Sequence, residues 1–339
     1  MLACALGSRT REAGDLRRST WTESLLEPTA IEEGWQDLRA IIWAFPWSRV
    51  DHGERAWSRL TDGPVLDLFD QLVKGTAEQG KTLLREVART LAAELSVETR
   101  VTVYEYLYCV FLGELVERHL VHGGLKGCER LLKRRASRIL SDASQTGSFP
   151  TFDQDEGLVA ALCCAGQYVP LYTYHAHLKS VPRSILARTR GAADAVRLLA
   201  YLAFQMRGFS PVLELHMPKM FHQRLTVELL AEDYLAAAKI IGANPSIKGT
   251  YGAAWYLDPA LRTISTSLGE VGAFAGENGA LVVCLGTDPA TVADATAKSR
   301  TRRQMYEDGR YVPKRYLRLW ARRRILQWAK TQAHPGGLQ

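Results

Sequence analysis

Apolar residues recur at three- and four-residue steps through most of the first half of the chain, the spacing that lines one face of a helix. Trp35, Leu38, Ile41, Ile42 and Phe45 form one such row, Val65, Leu66, Leu68, Phe69 and Leu72 a second, and Leu83, Leu84, Val87, Leu91 and Leu95 a third. Thr20-x-x-Glu23 and Thr29-x-x-Glu32 fit the capping box, in which a hydroxyl and a carboxylate satisfy the amides left open at a helix start. Further helices are predicted over 97–121 and 125–143, the latter turning Leu131, Leu132, Ile139 and Leu140 inward. Residues 144–156, with Ser, Gly, Pro and acids and little periodicity, read as a linker, and 192–206 as another helix.

After Gly208 the period changes. Val212 to Met217 alternates as a half-buried strand does, with Val212, Glu214 and His216 on one face and Leu213, Leu215 and Met217 on the other. Leu225, Leu229, Leu230, Tyr234, Ala237 and Ile241 predict a long helix that stops at Gly242 and Asn244-Pro245. Strands are predicted over 252–257 and 279–286, and Asp288-Pro289 opens a helix expected to reach about Glu307. Tyr316 to Trp320 reads as a short strand or as the start of a final helix ending near Lys330. The expectation is an α+β protein: a mobile leader at 1–18, a helical domain at 19–145, a mainly helical connecting segment at 146–205, a mixed α/β domain at 206–332, and a tail at 333–339.

At 339 residues the chain has the length of about two domains, and 47% hydrophobic with 23% charged residues excludes disordered and collagen-like classes. The net charge of +7 is unevenly placed. Residues 298–330 hold twelve lysines and arginines against only Glu307 and Asp308, which leaves the rest of the chain slightly acidic. Six cysteines without a CxxC pair or zinc-finger spacing predict free thiols in a reducing compartment. No apolar run reaches the ~18 residues of a membrane span. A cytoplasmic protein without stable membrane association is expected.

In the basic segment Tyr306, Tyr311, Tyr316, Trp320 and Trp328 are interleaved with the cations. Guanidinium forks match phosphate geometry and aromatics stack on bases, so Lys298, Arg300, Arg302, Arg303, Arg310, Arg315, Arg318 and Arg322 are candidates for holding RNA or another phosphate-bearing partner. The competing expectation is an amphipathic helix, with Leu317, Trp320, Ala321, Ile325 and Trp328 in the core and Arg315, Arg318 and Arg322 as a solvated stripe.

His175-x-His177 on a strand places both rings on one face, and Glu214-x-His216 sets a carboxylate beside an imidazole, a pair able to take a proton from an amine nucleophile. Asp258 joins Glu214 and His216 as a catalytic candidate, and Lys248, Tyr251 and Trp255 lie where a loop and strand end form a substrate pocket. Alternatively, His175, His177, Glu214, His216 and His222 form the ligand set of a metal-dependent enzyme. No G-x-S-x-G, G-x-G-x-x-G or G-x-x-x-x-G-K-[ST] occurs, which sets aside a serine hydrolase, a nicotinamide-dependent dehydrogenase and a P-loop NTPase. No cofactor is expected.

The order of elements from Val212 to Lys330 resembles the GNAT acyltransferase superfamily, over about a third of the chain. The resemblance makes Leu281–Leu285 the central strand and 290–307 the helix after the phosphate-binding loop. The superfamily's Arg/Gln-x-x-Gly-x-Gly/Ala loop is replaced by Cys284-Leu-Gly-Thr-Asp-Pro289, which points away from coenzyme A. Enzymes on that fold that take an aminoacyl group from tRNA lack this loop. The helical first half and basic end look like the tRNA-dependent aminoacyltransferases of antibiotic biosynthesis, of the valanimycin seryl-transferase type. This implies transfer from aminoacyl-tRNA onto a small amine or hydroxylamine. A non-enzymatic RNA-binding or scaffold protein is the alternative.

Overall fold

The computed structural model describes residues 47–61, 65–121, 125–209, 211–217 and 225–333. The leader, both capping boxes, the Trp35–Phe45 row, His222 and residues 334–339 of the tail lie outside them. The chain divides into two compact units between Val169 and Pro170.

The first unit is helical: α1 (Trp47–Leu60), α2 (Val65–Lys74), α3 (Ala77–Glu94), α4 (Val97–Val121), α5 (Glu129–Thr146) and α6 (Asp155–Cys164). The second and third apolar rows supply buried residues here, Val65, Leu68, Phe69 and Leu72 in α2 and Leu84 and Leu91 in α3. Thr76 caps α3 in a complete capping box with Gln79. Helix α4 spans the residues its periodicity predicts. The expected linker is instead a short connection anchored by two aromatics, with α5 reaching Thr146 and α6 starting at Asp155: Phe149 and Phe152 are buried, and Phe149 stacks on Tyr108 at 5.0 Å, while the Tyr108 hydroxyl donates to the Gly157 carbonyl at 3.0 Å. Two aromatics among small polar residues carry no periodic signal, which is why the stretch reads as solvated in sequence. Cys109, Cys128, Cys163 and Cys164 are buried free thiols, and burial pushes those of Cys109, Cys128 and Cys163 up to about 12. Among the described residues no helix is long and apolar enough to cross a membrane.

The second unit is built on a six-stranded mixed sheet of order β1-β2-β3-β4-β6-β5. In chain order its elements are β1 (Val169–Pro170), β2 (His175–Lys179), α7 (Ile185–Arg188), α8 (Ala192–Ala200), β3 (Val212–His216), α9 (Val227–Ala243), β4 (Gly249–Ala254), α10 (Leu261–Ile264), α11 (Thr266–Glu277), β5 (Leu281–Gly286), α12 (Pro289–Thr296), α13 (Arg300–Glu307), β6 (Arg315–Ala321) and α14 (Arg322–Ala333). Helix α8 runs on into a π turn, Tyr201–Met206, that ends at Arg207 with φ 55°. Strands β3 and β4 are parallel with α9 as their crossover, while β2 pairs antiparallel with β3, and β6 pairs antiparallel with both β4 and β5. The strand expected at the centre, Leu281–Leu285, therefore lies at an edge, because β6 inserts between it and β4. The central strand that feeds a helix is β3. The helix expected from 289 to 307 is two helices, with Asp288 capping the first by accepting from Thr291 N at 2.7 Å and Ser299 capping the second.

One sheet face, carrying Val212, Tyr251, Leu281, Val283, Leu317, Leu319 and Ala321, packs with Ile185, Leu198, Tyr201, Leu202 and Met206. The opposite face carries Trp320, wholly buried and edge-on to Tyr234 of α9 at 4.9 Å and tilted against Trp328 of α14 at 5.0 Å. The aromatics of the basic segment are thus largely core. So is one of its cations. Tyr316, Arg318 and Trp320 share this face, and Arg318 is 2% exposed, its guanidinium 4.9 Å from the Tyr234 ring.

Strand β4 starts at Gly249 with φ +151°, where a Cβ would stand 2.1 Å from the Trp320 carbonyl oxygen. Gly249→Ala is expected to lower the urea midpoint, since the backbone conformation alone costs a side-chain residue about 1–3 kcal/mol and the clash adds to it. An unchanged midpoint would show that β4 and β6 shift apart freely.

Candidate functional site

The register of β2 on β3 sets His175 opposite His216, His177 opposite Glu214 and Lys179 opposite Val212. Period-two alternation puts all six on one face, so two pairs read separately in the sequence become one cluster. A single carboxylate oxygen, Glu214 Oε2, faces His177 Nε2 at 3.2 Å, His216 Nε2 at 3.3 Å and Lys179 Nζ at 2.8 Å. The two rings lie parallel, 4° apart in plane with centroids at 5.0 Å, and His175 stacks on the other side of His216 at 5.6 Å.

Exposure separates the members. The Glu214 side chain is 10% exposed, whereas that of His216 is 40% exposed and reachable by a substrate. Burial alone would raise the Glu214 carboxyl, but the polar groups of His177 and His216, then Lys179, outweigh it and hold the group well below the usual carboxylate range. Glu214 is ionised at neutral pH. A buried anion that fixes a half-exposed imidazole is an arrangement for general-base chemistry. His177 Nε2, Glu214 Oε2 and His216 Nε2 also lie within 4.8 Å of one another, so the same three side chains form the only potential metal-ligand group of three or more among the described residues.

Tyr251 of β4 pairs with Glu214 across the parallel ladder. Burial raises its hydroxyl, as does the Glu214 charge, while Arg315 and Arg188 lower it. Those two arginines therefore place positive charge near Tyr251. Arg188, at the end of the short α7, belongs to no motif in the sequence.

The remaining candidates are used elsewhere. The Asp258 carboxylate is buried and accepts from Ala260 N at 3.1 Å, Lys314 N at 3.1 Å and the Tyr311 hydroxyl at 3.4 Å, none of them in the cluster. It braces the loop that leads into β6. Trp255 begins a 3-10 turn rather than lying in a strand, and carries the Arg302 guanidinium on its ring at 4.8 Å. Arg302 also donates to the Ala295 carbonyl, and Arg303 to those of Thr296 and Ala297, closing the end of α12. Lys248 is half-buried and tied through its backbone to Pro211 and Arg322. The Arg322 guanidinium donates to the carbonyls of Ile241, Gly242, Asn244 and Ile247, where the α9 dipole favours a cation. Arg318 and Arg322 thus serve the fold, correcting their reading as phosphate ligands or solvated stripe: Arg315 and Arg318, three apart in a strand, face opposite ways, and Arg322 begins the next helix. Lys298, Arg300, Arg303 and Arg310 are exposed, the last paired with Asp308 at 2.6 Å, and Arg315 is half-buried.

No protein-family model matches the chain, and no curated protein matches it. Among solved structures it is similar to an acyltransferase in complex with decanoyl-CoA, at 14% identity over 85% of this chain and 98% of that one, with a TM-score of 0.40. It is also similar to an acyltransferase in complex with decanoyl-CoA and teicoplanin, at 11% identity over 86% and 99%, with a TM-score of 0.38. A third is an acyltransferase mutant in complex with octanoyl-CoA, at 12% identity over 66% and 68%, also with a TM-score of 0.38.

Proposed function

We propose that this chain is an acyltransferase, in which His216, oriented by Glu214, takes the proton from an amine acceptor as the amine attacks an activated acyl group. The observation that carries the reading is the half-exposed imidazole set 3.3 Å from a buried, ionised carboxylate. An ammonium ion is no nucleophile, so a base in reach of the acceptor is what the reaction needs, worth typically about 10²–10⁴-fold. Arg315 and Arg188, near Tyr251, suit a phosphate or carboxylate on either substrate.

For the donor we favour an aminoacyl-tRNA, whose ester is already activated. The exposed Lys298, Arg300, Arg303 and Arg310 are the candidates for holding its backbone, Arg303 and Arg310 exchanging their bonds to the Thr296 and Ala297 carbonyls and to Asp308 for phosphate. Arg318, Arg322 and the stacked Arg302 are no longer counted among them.

The test pairs transfer with binding. His216→Ala is expected to lower kcat for transfer from charged tRNA to an amine about 10²-fold while leaving tRNA affinity in filter binding unchanged. Wild-type affinity is expected to fall steeply with salt, as neutralised phosphates require. Absent or salt-insensitive binding removes the RNA donor. Decanoyl-CoA as a parallel donor then decides between a coenzyme A ester and no acyl transfer at all.

A further inference from the structure

We propose that His177, Glu214 and His216 form a binding site for a divalent transition-metal cation of the zinc class, and that Lys179 is the displaceable group that competes for it. The three ligand atoms come from facing positions on two hydrogen-bonded strands, so their spacing is set by the sheet and not by a loop. In a tetrahedral zinc site, metal–ligand bonds of about 2.0–2.1 Å place neighbouring ligand atoms about 3.3–3.4 Å apart. The two imidazole nitrogens stand 3.2 and 3.3 Å from Glu214 Oε2. Two imidazoles and one carboxylate form a donor set that zinc-class ions accept, with a fourth position left for water.

A second observation concerns the oxygen itself. Glu214 Oε2 is buried and has three nitrogens within 3.3 Å, so an anionic donor atom is already held between two imidazoles. Lys179 Nζ, 2.8 Å from the same oxygen, supplies a positive charge there, and its 44% exposed side chain has room to swing into solvent. Cation binding then exchanges one positive group for another and needs both imidazoles neutral.

The cation takes His216 Nε2 and Glu214 Oε2 out of the pairing that orients the imidazole, so it competes with transfer. Inhibition of transfer by the metal rests on the proposed function; binding of the metal does not.

The experiment uses the full chain, freed of any affinity tag and stripped with chelator, titrated with Zn²⁺ against a chromophoric competitor and by calorimetry. One equivalent is expected to bind. His177→Gln and His216→Gln are each expected to weaken it at least about tenfold, and Lys179→Met to tighten it about tenfold. Co²⁺ in place of Zn²⁺ is expected to give the strong visible absorption of a four-coordinate site. Because Lys179 is half exposed, its variant folds whether or not the histidine variants do. No stoichiometric binding by wild type and Lys179→Met, or equal affinity in the two, overturns the proposal. Zinc binding in a protein that transfers no acyl group refutes only the transferase reading. Transfer that proceeds unchanged in a protein that binds no zinc refutes only this one.

Discussion

Replacing Glu214 by alanine is expected to lower kcat/KM for acyl transfer about 10³-fold, a barrier increase of about 4 kcal/mol. The effect exceeds that of His216→Ala, which leaves a buried carboxylate able to accept a proton through water. Without Glu214, three nitrogen-bearing side chains, His177, Lys179 and His216, face one another with no anion between them. His216 loses both its orientation and the charge that stabilises its protonated form. Glu214→Gln, close in shape, separates chemistry from folding and gives the acid dependence. The folded carboxyl lies below its unfolded value, so its contribution to stability is present above about pH 4.3 and is lost as pH falls below it. The stability gap between wild type and Glu214→Gln should therefore close on acidification. A loss of activity smaller than tenfold in a folded Glu214→Ala protein would sink the base assignment.

The second large effect is on folding. Asp233→Ala is expected to cost on the order of 4 kcal/mol, read as a fall in the urea midpoint. Asp233 is wholly buried on α9, and its carboxylate accepts from the backbone N–H of Tyr172 at 2.7 Å, Thr173 at 3.0 Å and Tyr174 at 3.4 Å, and from the Thr173 hydroxyl. Alanine leaves three amides without an acceptor. Burial raises the Asp233 carboxyl, and the donated bonds offset only part of that. A folded value above the unfolded one means a contribution that is complete below about pH 3.9 and shrinks as pH rises through the folded value. Asp233→Asn, which keeps one acceptor oxygen, should accordingly gain on wild type as pH rises from about 4 toward neutrality. The turn that Asp233 holds runs straight into His175 and His177, so a loosened turn also disturbs the cluster. An Asp233→Ala midpoint equal to wild type would show that these amides find water instead.

Much of the architecture can be read from local pattern because local pattern causes it. Helix α4 spans the 97–121 expected of it, Asp288-Pro289 starts a helix, and Val212–His216 is a strand with the faces its alternation predicts. The basic segment defeats the same reasoning. Strand β6 is largely buried on both faces, so apolar residues follow one another without a period, and Arg318 among them imitates the polar side of a helix. Assuming a helical period there turns a core arginine into a surface one.

The site divides along the same line. That His175 and His177 share a face, and that Glu214 and His216 share a face, is legible from the residues alone, since alternation along a strand is a property of neighbouring peptides. Whether the two faces meet is a matter of strand pairing and register, and the 32 residues between Lys179 and Val212 do not specify either locally. The folded sheet lays His177 opposite Glu214 and so makes one site of two halves. Register is fixed by the burial of whole faces and by the turn that Asp233 holds, and both are interactions between residues far apart in the chain.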